Sequence, residues 1–368
     1  MLRTKPIAED HGDFHEFTVT FWKDRVMLEG HSFPLGALTT QVLNLDPQEL
    51  VHIHNLCAIA IKKVRGQFFD PRVTKDYFLL SDIQKSVNAA LQEIRKLPVY
   101  NLLQLDEETA YHLLTALWQN RDEFQRAMQV GSVENQMLWD YYALLASIPD
   151  QLRVFQRYIS IMLDLYFEGL VKRNTEHYAV GIYKFLTDER TQDMLEKSFP
   201  GPEVSPFYRF TPVQENLIEY STMRNPDNEK EYVIAERLVF KSAAAFLYTD
   251  FYRGLMHGNA PRRCHNCGRY FLLESGYNTC YCNHVAPGET ERTCRKVGAH
   301  KKETSPEGKT PARLEYDRTY NRLKTRKLRG KISLAEWNRQ VAYAQEIKEQ
   351  AERGELSDAE MRKKLAEL

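Results

Sequence analysis

The chain has 368 residues with a hydrophobic fraction of 43%, which is ordinary for a globular protein and long enough for two or three domains. No apolar run reaches transmembrane length, because the best candidate, residues 159–171, is short and contains Asp164 and Glu168. The first residues lack an apolar stretch after their charges, so we expect no signal peptide, no membrane partner and a cytoplasmic location.

The charge balance of 50 Lys and Arg against 50 Asp and Glu hides a strong asymmetry. Residues 262–329 contain 16 Lys and Arg against 7 Asp and Glu, a net charge of +9, and the remainder must carry about −9. A basic segment on an acidic body indicates a polyanionic partner for that segment.

The N-terminal region is predicted to form a β-hairpin. Phe17, Val19 and Phe21 alternate with Thr18, Thr20 and Trp22, and Val26 and Leu28 follow after a charged break. We interpret this hairpin as a small sheet that caps a helical body.

From residue 46 the pattern is helical. Asp46 and Pro47 form a typical helix start, and further helices are predicted over 81–96, 106–130, 132–148, 150–172 and about 231–257. Residues 201–206 and 225–228 are the clearest breaks in this pattern. The last of these helices is expected to dock the following cysteine-rich segment onto the body.

Five of the six cysteines lie between Cys264 and Cys294, and their spacing is a metal-site signature. A Cys-x-x-Cys pair can reach one zinc ion from a tight turn, and Gly268 suits the positive φ that such a turn requires. Disulfides are less favoured, because nothing indicates export and five cysteines cannot all pair.

Cys264 and Cys267 are the safest ligands, and Cys294 is well placed to be another. Cys280 and Cys282 point to opposite sides of an extended chain, so only one of them is expected to bind. We choose Cys282, with Cys280 as the alternative, and interpret His265, His284 and His300 as solvated side chains. Four thiolates saturate Zn²⁺, so the predicted zinc is structural and not catalytic.

This stretch resembles an uncharacterised bacterial family of unknown function that is often carried by mobile elements. The resemblance rests on Cys264 to Phe271, on Tyr281-Cys282-Asn283 and on Thr293 to Ala299. The family pattern implies Cys282 as a ligand. The segment is also similar in outline to CGNR-type zinc fingers, which are presumed to bind DNA, but here Cys294 precedes Arg295 and Lys296 in place of the Gly-Asn-Arg string.

After the cysteines, a helix is predicted over 312–328, with Tyr316, Tyr320 and Leu323 on one face, expected to pack on the body, and arginines on the other. Two Ser-x-x-Glu capping boxes, at Ser333 and Ser357, predict the last two helix starts. Zinc-dependent nucleic-acid binding, to DNA or RNA, is the leading hypothesis, and its predicted phosphate contacts are Arg262, Arg263, Arg269, Arg295, Lys296, Arg318, Arg322, Arg326 and Arg329.

The predicted architecture is mainly α, with a β element (1–45), a helical body (46–260), a treble- or knuckle-like zinc module (261–305) and a basic helical tail (306–368). Two alternatives stay open. One is a protein-interaction scaffold whose C-terminal stripe at Trp337 and Val341 meets a partner. The other is a nuclease hidden in the helical body, although no phosphate-binding loop, nucleophile elbow or dinucleotide fingerprint is present in the sequence.

Overall fold

The protein is mainly helical with a small sheet, as predicted, and forms two compact units, Met1–Arg295 and Lys296–Leu368. The computed structural model describes residues 16–68, 80–103, 122, 125–126, 129–198, 217–274, 279–304 and 310–368. The predicted helix over 106–130 and the predicted break at 201–206 lie almost entirely outside the described residues. In the described part, no helix is both long enough and apolar enough to cross a membrane.

The first unit contains a five-stranded antiparallel sheet, which is larger than the predicted hairpin. Its strands are β1 (Phe17–Trp22), β2 (Arg25–Leu28), β3 (His31–Pro34), β4 (Leu217–Asn225) and β5 (Asn228–Phe240), in the order β3-β2-β1-β5-β4. The predicted β1–β2 hairpin is confirmed, and Val19 also pairs with Leu238 of β5. Residues far apart in the sequence therefore build one sheet.

The prediction of a helix over 231–257 was wrong in its first half. Residues 228–240 form β5, and the helix begins only at Ala243, where the Ser242 side chain accepts a hydrogen bond from Ala245 N at 3.1 Å. The β-branched residues of this stretch suit a strand. Pairing with β1 and β4 on both sides then favours the extended form, which local sequence patterns do not reveal.

The helices of the first unit surround one hydrophobic core. Among the described residues they are α1 (Ala37–Leu43), α2 (Pro47–Phe68), α3 (Leu80–Ile94), α4 (Val133–Met162), α5 (Thr175–Thr187), α6 (Glu189–Ser198) and α7 (Ala243–Met256), with a π-helical segment (Leu163–Phe167) continuing α4. The predicted starts at Asp46 and Ser132 are confirmed by side-chain caps to Gln48 N at 2.9 Å and Asn135 N at 3.1 Å.

Helix α4 corrects another prediction, because Pro149 lies inside it and does not separate two helices. An interior proline removes one backbone hydrogen bond and costs about 3 kcal/mol. Tyr142 and Leu145 before it, and Leu152 and Phe155 after it, are all buried in the same core. Their packing on one continuous face outweighs the cost of the proline.

A buried carboxylate joins α7 to α1. Asp250 is fully buried and accepts hydrogen bonds from Gly36 N at 2.8 Å, Thr39 N at 3.0 Å and Thr39 Oγ1 at 2.8 Å. Burial raises the pKa of Asp250 to about 6, although the N–H donors of Gly36 and Thr39 oppose the rise. The anion thus caps the N-terminus of α1 and holds it on α7.

The chain then enters β6 (Ala260–Arg263), β7 (Tyr270–Leu273) and α8 (Cys294–Thr304), which begins in the first unit. The second unit contains α9 (Pro311–Leu328), α10 (Leu334–Glu352) and α11 (Asp358–Ala366). Both predicted serine caps are confirmed, and Ser357 with Glu360 forms a complete capping box. The core of this unit is formed by Ala312, Ala344, Ile347, Met361 and Leu365.

Candidate metal centre

Strands β6 and β7 form an antiparallel hairpin that presents Cys264 and Cys267 in its turn. Cys264 N donates to Arg269 O at 2.8 Å, and Gly268 N donates to Cys264 O at 2.9 Å. Gly268 has a φ of 74°, so the positive φ predicted for it is confirmed. The turn therefore places both thiols on the same side of the hairpin end.

The other two thiols are set by the start of α8. Cys294 is its first residue, and Cys294 N donates to His284 O at 2.8 Å. Arg295 N donates to Cys282 O at 3.0 Å, which ties the Cys282 segment to the same helix turn. We call residues 260–295, which carry all four thiols, the cysteine module.

The four sulfur atoms of Cys264, Cys267, Cys282 and Cys294 all lie within 4.8 Å of one another, and this cluster could hold a metal ion. A tetrahedral zinc–thiolate site with bonds of about 2.3 Å requires sulfur separations of roughly 3.8 Å. The 3.6 Å between Cys267 Sγ and Cys282 Sγ fits this requirement. Cys280 lies outside the cluster, and its carbonyl accepts from His265 N at 2.9 Å.

The surroundings of the cluster shift the pKa values of its thiols in different directions. Burial raises the pKa of the Cys264 thiol, but hydrogen bonds from backbone N–H groups of residues such as Cys282 and Cys267 outweigh this and lower it to about 7. Burial raises the pKa of Cys267 and Cys282 above the ordinary thiol value. Metal binding requires deprotonated thiols, and a bound cation would stabilise Cys267 and Cys282 as thiolates in place of their protons.

Asp164 in the π-helical segment and Glu168 directly after it anchor the cysteine module. Glu168 Oε1 accepts from Arg262 Nη2 at 2.9 Å and contacts His265 Nε2 at 2.8 Å. Asp164 accepts from Arg263 at 2.7 Å and from the Tyr270 hydroxyl at 2.9 Å. Although burial raises it, hydrogen bonds from Arg262 and His265 bring the pKa of Glu168 below its ordinary value.

These contacts involve three residues that the sequence analysis had singled out. Arg262 is buried in its ion pair, and Arg263, although exposed, forms a two-point pair with Asp164. His265, expected to be solvated, is exposed and also contacts Glu168 at 2.8 Å. Among the other predicted contacts of the module, Arg269 and Arg295 are exposed, as is Lys296 beyond its end.

The arginines of the predicted basic face of α9 differ in their contacts. Arg322 donates to Leu365 O and Arg326 to Leu368 O, so both link α9 to the C-terminal helix of the second unit. Arg318 pairs with Glu315 at 2.7 Å, and Arg329 is exposed. On the opposite, aromatic face, the ring centroid of Tyr320 lies 6.0 Å from that of Trp337 in the same unit.

Sequence reasoning missed Asn44, Asp164 and Glu168 as residues that hold the module. The signal for the two acids was present, because carboxylates four positions apart share one face of an otherwise apolar helix and require cationic partners there. For Asn44 no local signal existed. It follows α1 and meets Tyr270 only in the folded chain.

Residues 211–367 match a family of unknown function (DUF6076). The match covers less than half of the chain. The match includes the four clustered cysteines and leaves out helices α1–α6. It agrees with the predicted likeness to an uncharacterised family, whereas the predicted likeness to CGNR-type fingers finds no support in it. No curated protein and no solved structure matches the chain.

Proposed function

We propose that this protein binds nucleic acid through a zinc-stabilised cysteine module. The proposal is carried by the position of two arginines on the cysteine frame. Arg269 follows Cys267 by two residues, and Arg295 follows Cys294 directly. Both side chains are exposed, and neither has an ion-pair partner within the described part of the chain.

The donor set favours a structural role for the metal. Four thiolates fill a tetrahedral Zn²⁺ and leave no position for a catalytic water. Zinc bound in this way contributes folding free energy to the segment that carries it. Its function here would be to hold Arg269 and Arg295 in fixed places, and binding, not chemistry, would be the result.

The charge of the segment supports a polyanionic ligand. Its net charge of +9 over residues 262–329 includes arginines that bind other parts of the protein, such as Arg262 and Arg322. Arg269 and Arg295 in the first unit, and Arg329 in the second, remain exposed without an ion pair among the described residues. Such cations contact phosphates and supply affinity without base selectivity.

The test is a fluorescence-anisotropy titration of the zinc-loaded chain with labelled duplex DNA and single-stranded RNA. We expect binding that weakens steeply between 50 and 200 mM salt, because each phosphate contact releases counterions. The Arg295→Gln variant should weaken it several-fold, and the matched control is Arg190→Gln, an exposed arginine of α6. Chelation of the metal should abolish binding by the wild-type chain.

A combined alanine variant of Arg318, Arg322 and Arg326 is a poor test, because two of these side chains hold α11 in place. Arg329→Gln tests the second unit without that disturbance. No binding at low salt would contradict the proposal. It would favour the alternative of a protein scaffold, for which β4 and β5 offer exposed apolar side chains: Leu217, Ile218, Tyr220, Tyr232 and Ile234.

A further inference from the structure

A groove of about 890 Å³ lies between the cysteine module, α4 and the loop that joins α1 to α2, all within the first unit. Its lining in the described chain includes four arginines and no carboxylate, and these arginines are Arg153, Arg157, Arg263 and Arg269. We call it the arginine groove. A concave surface lined by positive charges concentrates its electric field in the cleft and attracts an anionic ligand.

Two of the four arginines are neutralised from outside the groove. Arg153 pairs with Asp150 at 3.2 Å, and Arg263 pairs with Asp164 at 2.7 Å. Arg157 and Arg269 have no such partner in the described residues, and both are exposed. Two unpaired positive charges from different elements therefore face one cavity, an arrangement that an anion would stabilise.

The walls of the groove are held by hydrogen bonds at the backbone. Gln156, buried on α4, donates to Leu45 O at 2.7 Å and so fixes the α1–α2 loop. Asn44 in the same loop exchanges two hydrogen bonds with Tyr270 of the module. The two unpaired arginines thus extend from a preformed frame, which lowers the cost of ordering them around a ligand.

The residues of the lining suit contacts to phosphate groups and not stacking on nucleic-acid bases. The only aromatic residue in the described lining is Tyr270, which is 4% exposed and lies under the guanidinium of Arg263. No aromatic face of the lining is therefore open for a base to stack on, and stacking supplies the base contacts of single-strand binders. Arginine forks, in contrast, match phosphate oxygens in pairs.

We infer that the arginine groove holds the sugar–phosphate backbone of the bound nucleic acid, with Arg157 and Arg269 as its phosphate contacts. This inference rests on the proposed function and adds a site to it. Arg157 lies on α4, outside the predicted contact set and outside the family match over 211–367. The body of the protein, and not only its cysteine module, then takes part in binding.

The experiment compares three full-length, zinc-loaded variants in the same anisotropy assay: Arg157→Gln, Arg269→Gln and the control Arg190→Gln. We expect the first two to lower affinity about 3- to 10-fold at low salt. Each should also reduce the slope of log K against log salt by about 0.7 to 0.9, the value for one lost phosphate contact. The control should bind like the wild-type chain, and thermal melts should show all three folded.

The outcomes separate the groove from the proposed function. If the wild-type chain binds and Arg295→Gln weakens it, but Arg157→Gln does not, the groove is not the binding site and the proposed function stands. If the wild-type chain binds no nucleic acid, both fail. A titration with inorganic pyrophosphate adds a further arm, because tight binding lost in Arg157→Gln would indicate a small phosphate ligand and overturn the polymer assignment.

Discussion

The side chain of Asn44 pairs with the backbone of Tyr270 as if it were another strand. Asn44 Oδ1 accepts from Tyr270 N at 2.8 Å, and Asn44 Nδ2 donates to Tyr270 O at 2.8 Å. Asn44 follows the end of α1, while Tyr270 begins β7 next to the cysteine turn. This amide side chain, together with Asp164 and Glu168, fixes the cysteine module on the helical body.

Replacing Asn44 by Ala is expected to loosen the module. The variant leaves the Tyr270 N–H and C=O without these partners, at a cost of about 1 to 3 kcal/mol in the free energy of unfolding. Urea denaturation measures the loss, and amide hydrogen exchange should show faster exchange at Tyr270. The matched control is Asn283→Ala, an exposed asparagine of the same module. Equal stabilities of the two variants would contradict the docking role.

Cys267→Ser is expected to lose the metal, because a tetrahedral thiolate site with one ligand removed binds far more weakly. Residues 260–273 should then lose hydrogen-exchange protection, since ligand binding is coupled to folding. Zinc content per chain, measured by mass spectrometry of the metal, checks this directly. Cys280→Ser is the control and should keep one ion, because Cys280 lies outside the cluster. Unchanged zinc in Cys267→Ser would refute the ligand set.

Glu168→Gln is expected to destabilise the first unit. The change keeps the shape of the side chain but leaves the guanidiniums of Arg262 and Arg173, 6% and 4% exposed, without their counter-charge. Breaking a fully buried pair costs about 3 to 5 kcal/mol, and we expect about 2 kcal/mol here because Glu168 is 36% exposed. Urea unfolding beside the exposed control Glu274→Gln would show whether the pair matters.

Asp250 should make stability depend on pH. Its folded pKa of about 6 lies above the ordinary value of 3.8, so its contribution to stability falls as pH rises through the folded pKa. Between pH 5 and 7.5 this loss amounts to about 1 kcal/mol. The Asp250→Asn variant has no carboxyl to titrate at this position. As the pH rises from 5 to 7.5, its free energy of unfolding should therefore increase relative to that of the wild type by about 1 kcal/mol. A pH-independent difference in urea unfolding would show that the carboxyl does not titrate in this range.

Local patterns predicted the elements that depend on neighbouring residues. The β1–β2 hairpin, the cap at Asp46 and the capping box at Ser357 all involve contacts within a few positions, and each is present. The strand β5 and the unbroken helix through Pro149 were mispredicted because distant packing decides them. Pairing with neighbouring strands and burial of a helix face contribute several kcal/mol to folding, which outweighs the local preference of the sequence for another secondary structure.

The sequence by itself determined the cysteine pattern: spacing indicated Cys264, Cys267 and Cys294 and left Cys280 as the alternative to Cys282, and the fold brings Cys282 to the cluster. Only the tertiary structure decided which arginines form ion pairs within the protein. Arg262 meets Glu168 across 94 positions, and Arg263 meets Asp164 across 99. The net charge of a segment does not show which of its arginines are paired. Ion pairs form only between side chains that are in contact in the folded chain. The same folding leaves Arg157 and Arg269 unpaired in one groove.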